Sequence, residues 1–109
     1  MERVYNKLVR DRIPEIIKNN GETPTIRVLD DIEYKIELEK KLLEEYNEVI
    51  GTNSISDRLE ELADMLEVIV SLGFLENANF DDIVTIMRKK REESGGFSKK
   101  LFLEKVIIR

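Results

Sequence analysis

The chain is predicted to be all-α, a helical bundle forming a single domain over residues 1–109. Three observations predict it. Apolar residues recur at helical spacing in three successive stretches, near 32–50, 56–72 and 80–93. Each stretch opens on a residue able to accept a hydrogen bond from the first helical turn, and the first two close at a glycine. The β-prone runs that remain are short and lie towards the two ends. A length of 109 residues suits one modest core and is too small for two.

In chain order, Tyr5 to Asn20 reads YNKLVRDRIPEIIKNN, with Pro14 suited to the first turn of a short helix that ends near Gly21. Lys7, Arg10 and Arg12 precede that helix in a loop, as surface charge or as cations for phosphate oxygens. Thr23 to Leu29 is a short β-prone run whose one comparable partner is Leu101 to Ile108, so a small two-stranded sheet joining the terminal segments is expected. Asp30, with Glu33 three positions on, caps a helix running from about Ile32 to Ile50 and ending at Gly51. Ser54 with Asp57, or Ser56 alone, caps the next, expected to reach Leu72 before Gly73. The second half of that helix is apolar nearly all round, from Leu62 to Leu72, and a chain this short has too few other helices to surround it. A bundle completed by dimerisation is therefore expected, a homodimer or higher homo-oligomer. Asn79 and Asp82 open a last helix over about Phe80 to Glu93, which ends in Arg88-Lys89-Lys90-Arg91 ahead of Gly95-Gly96. That basic end complements the helix dipole, and the glycine pair allows close backbone approach to an anion.

Composition narrows the chemistry. With 23 acidic against 18 basic residues the net charge is −5, which argues against nucleic acid or an anionic membrane as partner. No cysteine and no histidine are present, so disulfides, thiolate chemistry and imidazole catalysis are excluded, and any catalysis must run on carboxylates and metal. No long apolar run suggests a leader or a membrane span, and a cytoplasmic location is expected.

The most informative stretch is Lys41 to Asp64, where Glu44-Glu45-x-x-Glu48 is followed, after twelve residues, by Glu61-x-x-Asp64. Residues three apart on a helix share a face, so Glu45 with Glu48, and Glu61 with Asp64, each form a two-carboxylate claw. Taken singly, such pairs are usually solvated glutamates. Here Glu45 falls in line with Leu38, Leu42 and Val49, and Glu61 and Asp64 with Met65, Val68 and Leu72. An acid in a buried stripe needs a partner, and no cation on either stripe is expected to serve. A hard divalent cation, Mg²⁺ or Mn²⁺ as its substitute, is the simpler candidate, and it points to phosphate chemistry.

The order EExxE, twelve residues, ExxD on consecutive helices resembles the MazG-like all-α nucleoside triphosphate pyrophosphohydrolases. The opening YNKLVRDRIPEII and the closing KKREESGGFSKKLFL are similar to the phosphoribosyl-ATP pyrophosphohydrolase-like subgroup, and the likeness covers nearly the whole chain. One departure is Ser94, where the subgroup pattern leads one to expect Arg. The resemblance implies hydrolysis of a nucleoside triphosphate between the α and β phosphates, yielding a monophosphate and pyrophosphate. It implies that Glu45, Glu48, Glu61 and Asp64 coordinate Mg²⁺, with Glu44 adjacent but off the claw. Glu45 or Glu48 would accept the proton of the attacking water. Lys7, Arg10, Lys89, Lys90 and Arg91 would complement the triphosphate. House-cleaning of non-standard nucleotides ranks first among the roles implied. The alternatives are phosphoribosyl-ATP hydrolysis in histidine biosynthesis, a nucleotide-binding regulator without turnover, and a purely structural bundle with a structural cation.

Overall fold

A computed structural model describes residues 1–108. Among them are four helices and no strand: α1 (Ile13–Asn19), α2 (Asp31–Gly51), α3 (Ile55–Leu75) and α4 (Phe80–Ser94). The fold is thus all-α, and none of these helices is long and apolar enough to cross a membrane.

Local chemistry explains each boundary. Pro14 sits in the first turn of α1, where its missing N–H costs nothing. Gly21, at φ +81°, closes the helix, its N–H and that of Glu22 bonding back to the carbonyls of Lys18 and Ile17. Asp30 caps α2 by accepting from the Glu33 N–H at 2.8 Å, and Ser54 caps α3 by accepting from the Asp57 N–H at 3.2 Å. The three residues between Gly51 and Ile55 force α2 and α3 into an antiparallel hairpin. Asn79 and Asp82 form a reciprocal capping box at the start of α4, with both bonds at 2.9 Å.

Two expectations are corrected. α3 does not stop before Gly73 but runs to Leu75, because Asn77 at φ 57° takes the left-handed closing position. The N–H groups of Asn77 and Ala78 then bond to the carbonyls of Phe74 and Gly73. Gly73 instead admits a neighbour: a Cβ there would lie 2.6 Å from Ile83 Cδ1 and 3.2 Å from the Ala78 carbonyl oxygen. The two-stranded sheet is likewise absent among the described residues, and 23–29 and 101–108 are irregular. Two short strands are marginal without a packing layer, and within one chain no helix covers these: Val28 is 95% exposed and Phe102 89%.

The core is thin. Leu38, Val49 and Val68 are its buried apolar residues, all on the α2–α3 hairpin, while α4 packs on α3 through Ile83. The chain exposes 10353 Å². A compact monomer of 12.8 kDa would expose about 6,300 Å². The radius of gyration, 18.9 Å against about 13 Å for a compact domain of this length, repeats the point.

Candidate functional site

The hairpin register brings the acids together. Glu45 lies eight residues before Asn53 and Glu61 eight after it, so both stand at the same height, about 12 Å above the turn. By the same symmetry Leu38 stands level with Val68, and those two are buried in the seam. The twelve-residue spacer is therefore what puts the two acidic pairs face to face. Carboxylate oxygens of Glu45, Glu61 and Asp64 lie within 4.8 Å of one another. Glu45 is only 8% exposed, in line with Leu38 and Val49 as its spacing predicted.

Glu48 stands apart from this group. It sits one turn nearer the loop than Glu45, while Asp64 sits nearly one turn farther from it than Glu61, which separates the two by about 9 Å along the hairpin. It is exposed and makes no ion pair among the described residues, yet its charge still bears on Glu45 and Glu61.

Cations do reach the cluster, and one of them, Lys41, comes from Glu45's own helix, where no cation was expected to serve. Arg10 donates to Asp64 Oδ1 at 2.8 Å from the loop before α1. Lys41, half-buried one turn before Glu45, approaches Glu45 to 3.8 Å and Glu44 to 3.4 Å. Lys7 lies 3.7 Å from Glu44, which neighbours the three-acid group without being one of its members. The Lys41–Glu45 spacing was visible as an i,i+4 pair. The Arg10–Asp64 pair had no local signal.

These cations leave the cluster under-neutralised. Burial, above all, pushes the Glu45 carboxyl above its ordinary value; Lys41 opposes that shift, and the charges of Asp64, Glu44 and Glu48 reinforce it. Glu61 is raised as well, by desolvation first, then by the charges of Asp64, Glu48 and Glu45 and by a hydrogen bond with Glu45. Neighbouring carboxyls raised this way by burial and by one another's charge mark a site suited to a cation. The donors also suit one. Two oxygens on a single Mg²⁺ lie about 3 Å apart when adjacent and about 4.2 Å when opposite, so small side-chain rotations bring oxygens within 4.8 Å into range. Glu45, Glu61 and Asp64 are the residues that fit a hard divalent cation.

The remaining basic candidates are elsewhere. Lys89, Lys90 and Arg91 are exposed on the last two turns of α4 and make no ion pair among the described residues. Ser94 ends that helix, and Gly95 follows at φ 85°.

Comparison with known proteins adds a partial likeness. A protein of Mycolicibacterium smegmatis, described as uncharacterized, is 48% identical over 54 residues, which are 50% of this chain and 55% of that protein. The chain thus spans about half the length of the curated relative it matches. No family model matches the chain, and no solved structure matches it.

Proposed function

We propose that the chain is a metal-dependent nucleoside triphosphate pyrophosphohydrolase of the MazG-like kind. It cleaves between the α and β phosphates, releases a monophosphate and pyrophosphate, and acts on non-standard nucleotides. The observation that carries this reading is the convergence of Glu45, Glu61 and Asp64 from two helices, flanked by Arg10 and Lys7 from the N-terminal loop. An oxygen-only acidic cluster edged by cations suits a substrate that arrives as a metal–phosphate complex.

Glu45, Glu61 and Asp64 would hold Mg²⁺ or Mn²⁺. Bound there, the ion supplies a Lewis acid for phosphate oxygens and makes water more acidic at neutral pH. Glu48 is the carboxylate free to take a proton, being exposed and outside every ion pair among the described residues. Arg10 rests on Asp64 of the cluster and Lys7 on Glu44 beside it, so a short swing would carry both to the phosphates. Lys89, Lys90 and Arg91, exposed and in no ion pair among the described residues, are available for the same oxygens.

A second copy of the chain belongs to this reading. The surface in excess of a compact monomer is about 4,000 Å², more than one partner contributes to an ordinary interface. Leu59, Leu62 and Leu66 of α3 are among the exposed apolar residues it would cover.

The deciding experiment is pyrophosphate release with Mg²⁺ or Mn²⁺ across standard, deoxy and damaged triphosphates and phosphoribosyl-ATP, with Glu48→Gln as control. Turnover abolished by the control is the expected result. A folded, metal-binding protein that releases no pyrophosphate from any of them would overturn the enzyme reading in favour of a nucleotide-binding regulator.

A further inference from the structure

Beyond α4 the chain continues as an arm, residues 97–108, which turns at Phe97–Lys100, where the Lys100 N–H bonds to the Phe97 carbonyl at 3.1 Å, and then runs on without regular structure, its large apolar side chains exposed. Phe97 is 99% exposed, Leu103 78% and Ile108 90%. In an extended segment successive side chains alternate in direction. On one side this puts Leu101, Leu103, Lys105 and Ile107, and on the other Phe102, Glu104, Val106 and Ile108. Both sides are mostly apolar, the pattern of a segment covered on two faces. Folding back onto its own helices would cover one.

A receptor for such a segment lies between α3 and α4. Leu66, Ile69, Phe80, Ile83, Val84 and Met87 line an apolar groove of about 420 Å³. Charge favours the same pairing. Three of the 18 basic residues and one of the 23 acidic ones fall in 97–108, so the arm carries +2 and the rest of the chain −7. Gly95 aims the arm, since φ 85° with ψ 174° is backbone that only glycine adopts easily.

We infer that residues 97–108 of one copy seat in the α3–α4 groove of a second copy, and that the two copies exchange arms. The inference rests on the second-copy reading above and adds which surfaces meet. The exchange closes under two-fold symmetry, each arm finding one groove. It also covers apolar surface that the single chain leaves exposed, part of about 4,000 Å² in excess of a compact monomer.

The chain has no cysteine, so introduced thiols report without background. The test is oxidation of a full-length Met87→Cys/Leu103→Cys variant, with sedimentation of the unmodified protein beside it. A covalent dimer that reverts on reduction is expected. A monomer-sized product with both thiols consumed would put the arm on its own groove and overturn the exchange. So would a protein that sediments as a dimer yet forms no disulfide, because its arm is then elsewhere. Monomeric sedimentation of the unmodified protein would instead remove the second copy itself, a distinct failure. Phe102→Glu gives an independent arm: its side chain is exposed in the single chain, so helicity should persist while self-association weakens roughly 30-fold, as loss of a buried aromatic anchor does. Unchanged self-association of that variant would also overturn the exchange.

Discussion

Arg10 and Asp64, 54 positions apart in sequence, are joined by a hydrogen bond of 2.8 Å. The pair ties the N-terminal loop to α3 and places a guanidinium beside a carboxylate of the candidate cation site. A cation entering that site competes with Arg10 for Asp64. On the proposed reading, Arg10 would be the counter-charge for the cluster without a cation and a phosphate ligand once a metal–nucleotide complex is bound.

Replacement of Arg10 by Ala separates these roles. Both partners are more than a third exposed, so the loss of fold stability should stay below about 1 kcal/mol. Apparent Mn²⁺ affinity in the absence of nucleotide should hold or rise, because a competitor has gone. KM for the triphosphate should rise about tenfold, the cost of a charge-assisted contact. Metal titration alongside steady-state kinetics checks both. A metal affinity that falls with the substitution would make Arg10 a support of the site and not its competitor.

Divalent cation should stabilise the fold. At a hundred times its dissociation constant, binding to the native state alone contributes about 2.7 kcal/mol, or on the order of 10 °C in Tm for a domain of this size. Glu61→Gln and Asp64→Asn should each remove most of that shift, while Glu48→Gln, outside the three-acid group, should keep more of it. Thermal melts with Mg²⁺, Mn²⁺ and chelator read all four proteins.

The raised Glu45 and Glu61 carboxyls fix the sign of a pH effect. Each binds its proton more firmly in the folded chain than in the unfolded one, whose value is near 4.5. The stability this contributes is fully present below 4.5 and is lost as pH rises through the folded values. In chelator, a Glu45→Gln/Glu61→Gln variant should therefore match the wild type in acid and exceed it at neutral pH, by urea midpoint. Metal affinity of the wild type should run the opposite way, falling as pH falls and protons reclaim the ligands.

The two helical glycines of the hairpin should respond in opposite directions to alanine. Nothing lies within 4 Å of a Cβ at Gly51, so Gly51→Ala should stabilise by about 0.5–1 kcal/mol through chain entropy. At Gly73 the added methyl meets Ile83 Cδ1, which can swing aside, and the Ala78 carbonyl, which cannot. That carbonyl belongs to the turn closed by the Ala78 N–H on the Gly73 carbonyl, so Gly73→Ala should cost roughly 1 kcal/mol. Urea denaturation of the two variants gives the comparison directly.

What sequence alone determined here is local. Apolar spacing placed α2, α3 and α4, and Asp30, Ser54 and Asn79 marked their starts, because capping and amphipathic periodicity act within one or two turns. The line of Leu38, Glu45 and Val49 was legible for the same reason, and so was the pairing of Glu61 with Asp64 on one face. Tertiary structure decided what meets across the chain. The hairpin register brought Glu45, Glu61 and Asp64 within 4.8 Å of one another, and the fold of the N-terminal loop delivered Arg10 to Asp64. Gly73 looked like a stop signal but became a packing site, since Asn77 could take the left-handed turn and Ile83 needed the room. The runs at 23–29 and 101–108 had the composition of strands without becoming a sheet, because β-pairing requires a surface to pack on, and a propensity carried within a segment cannot provide one.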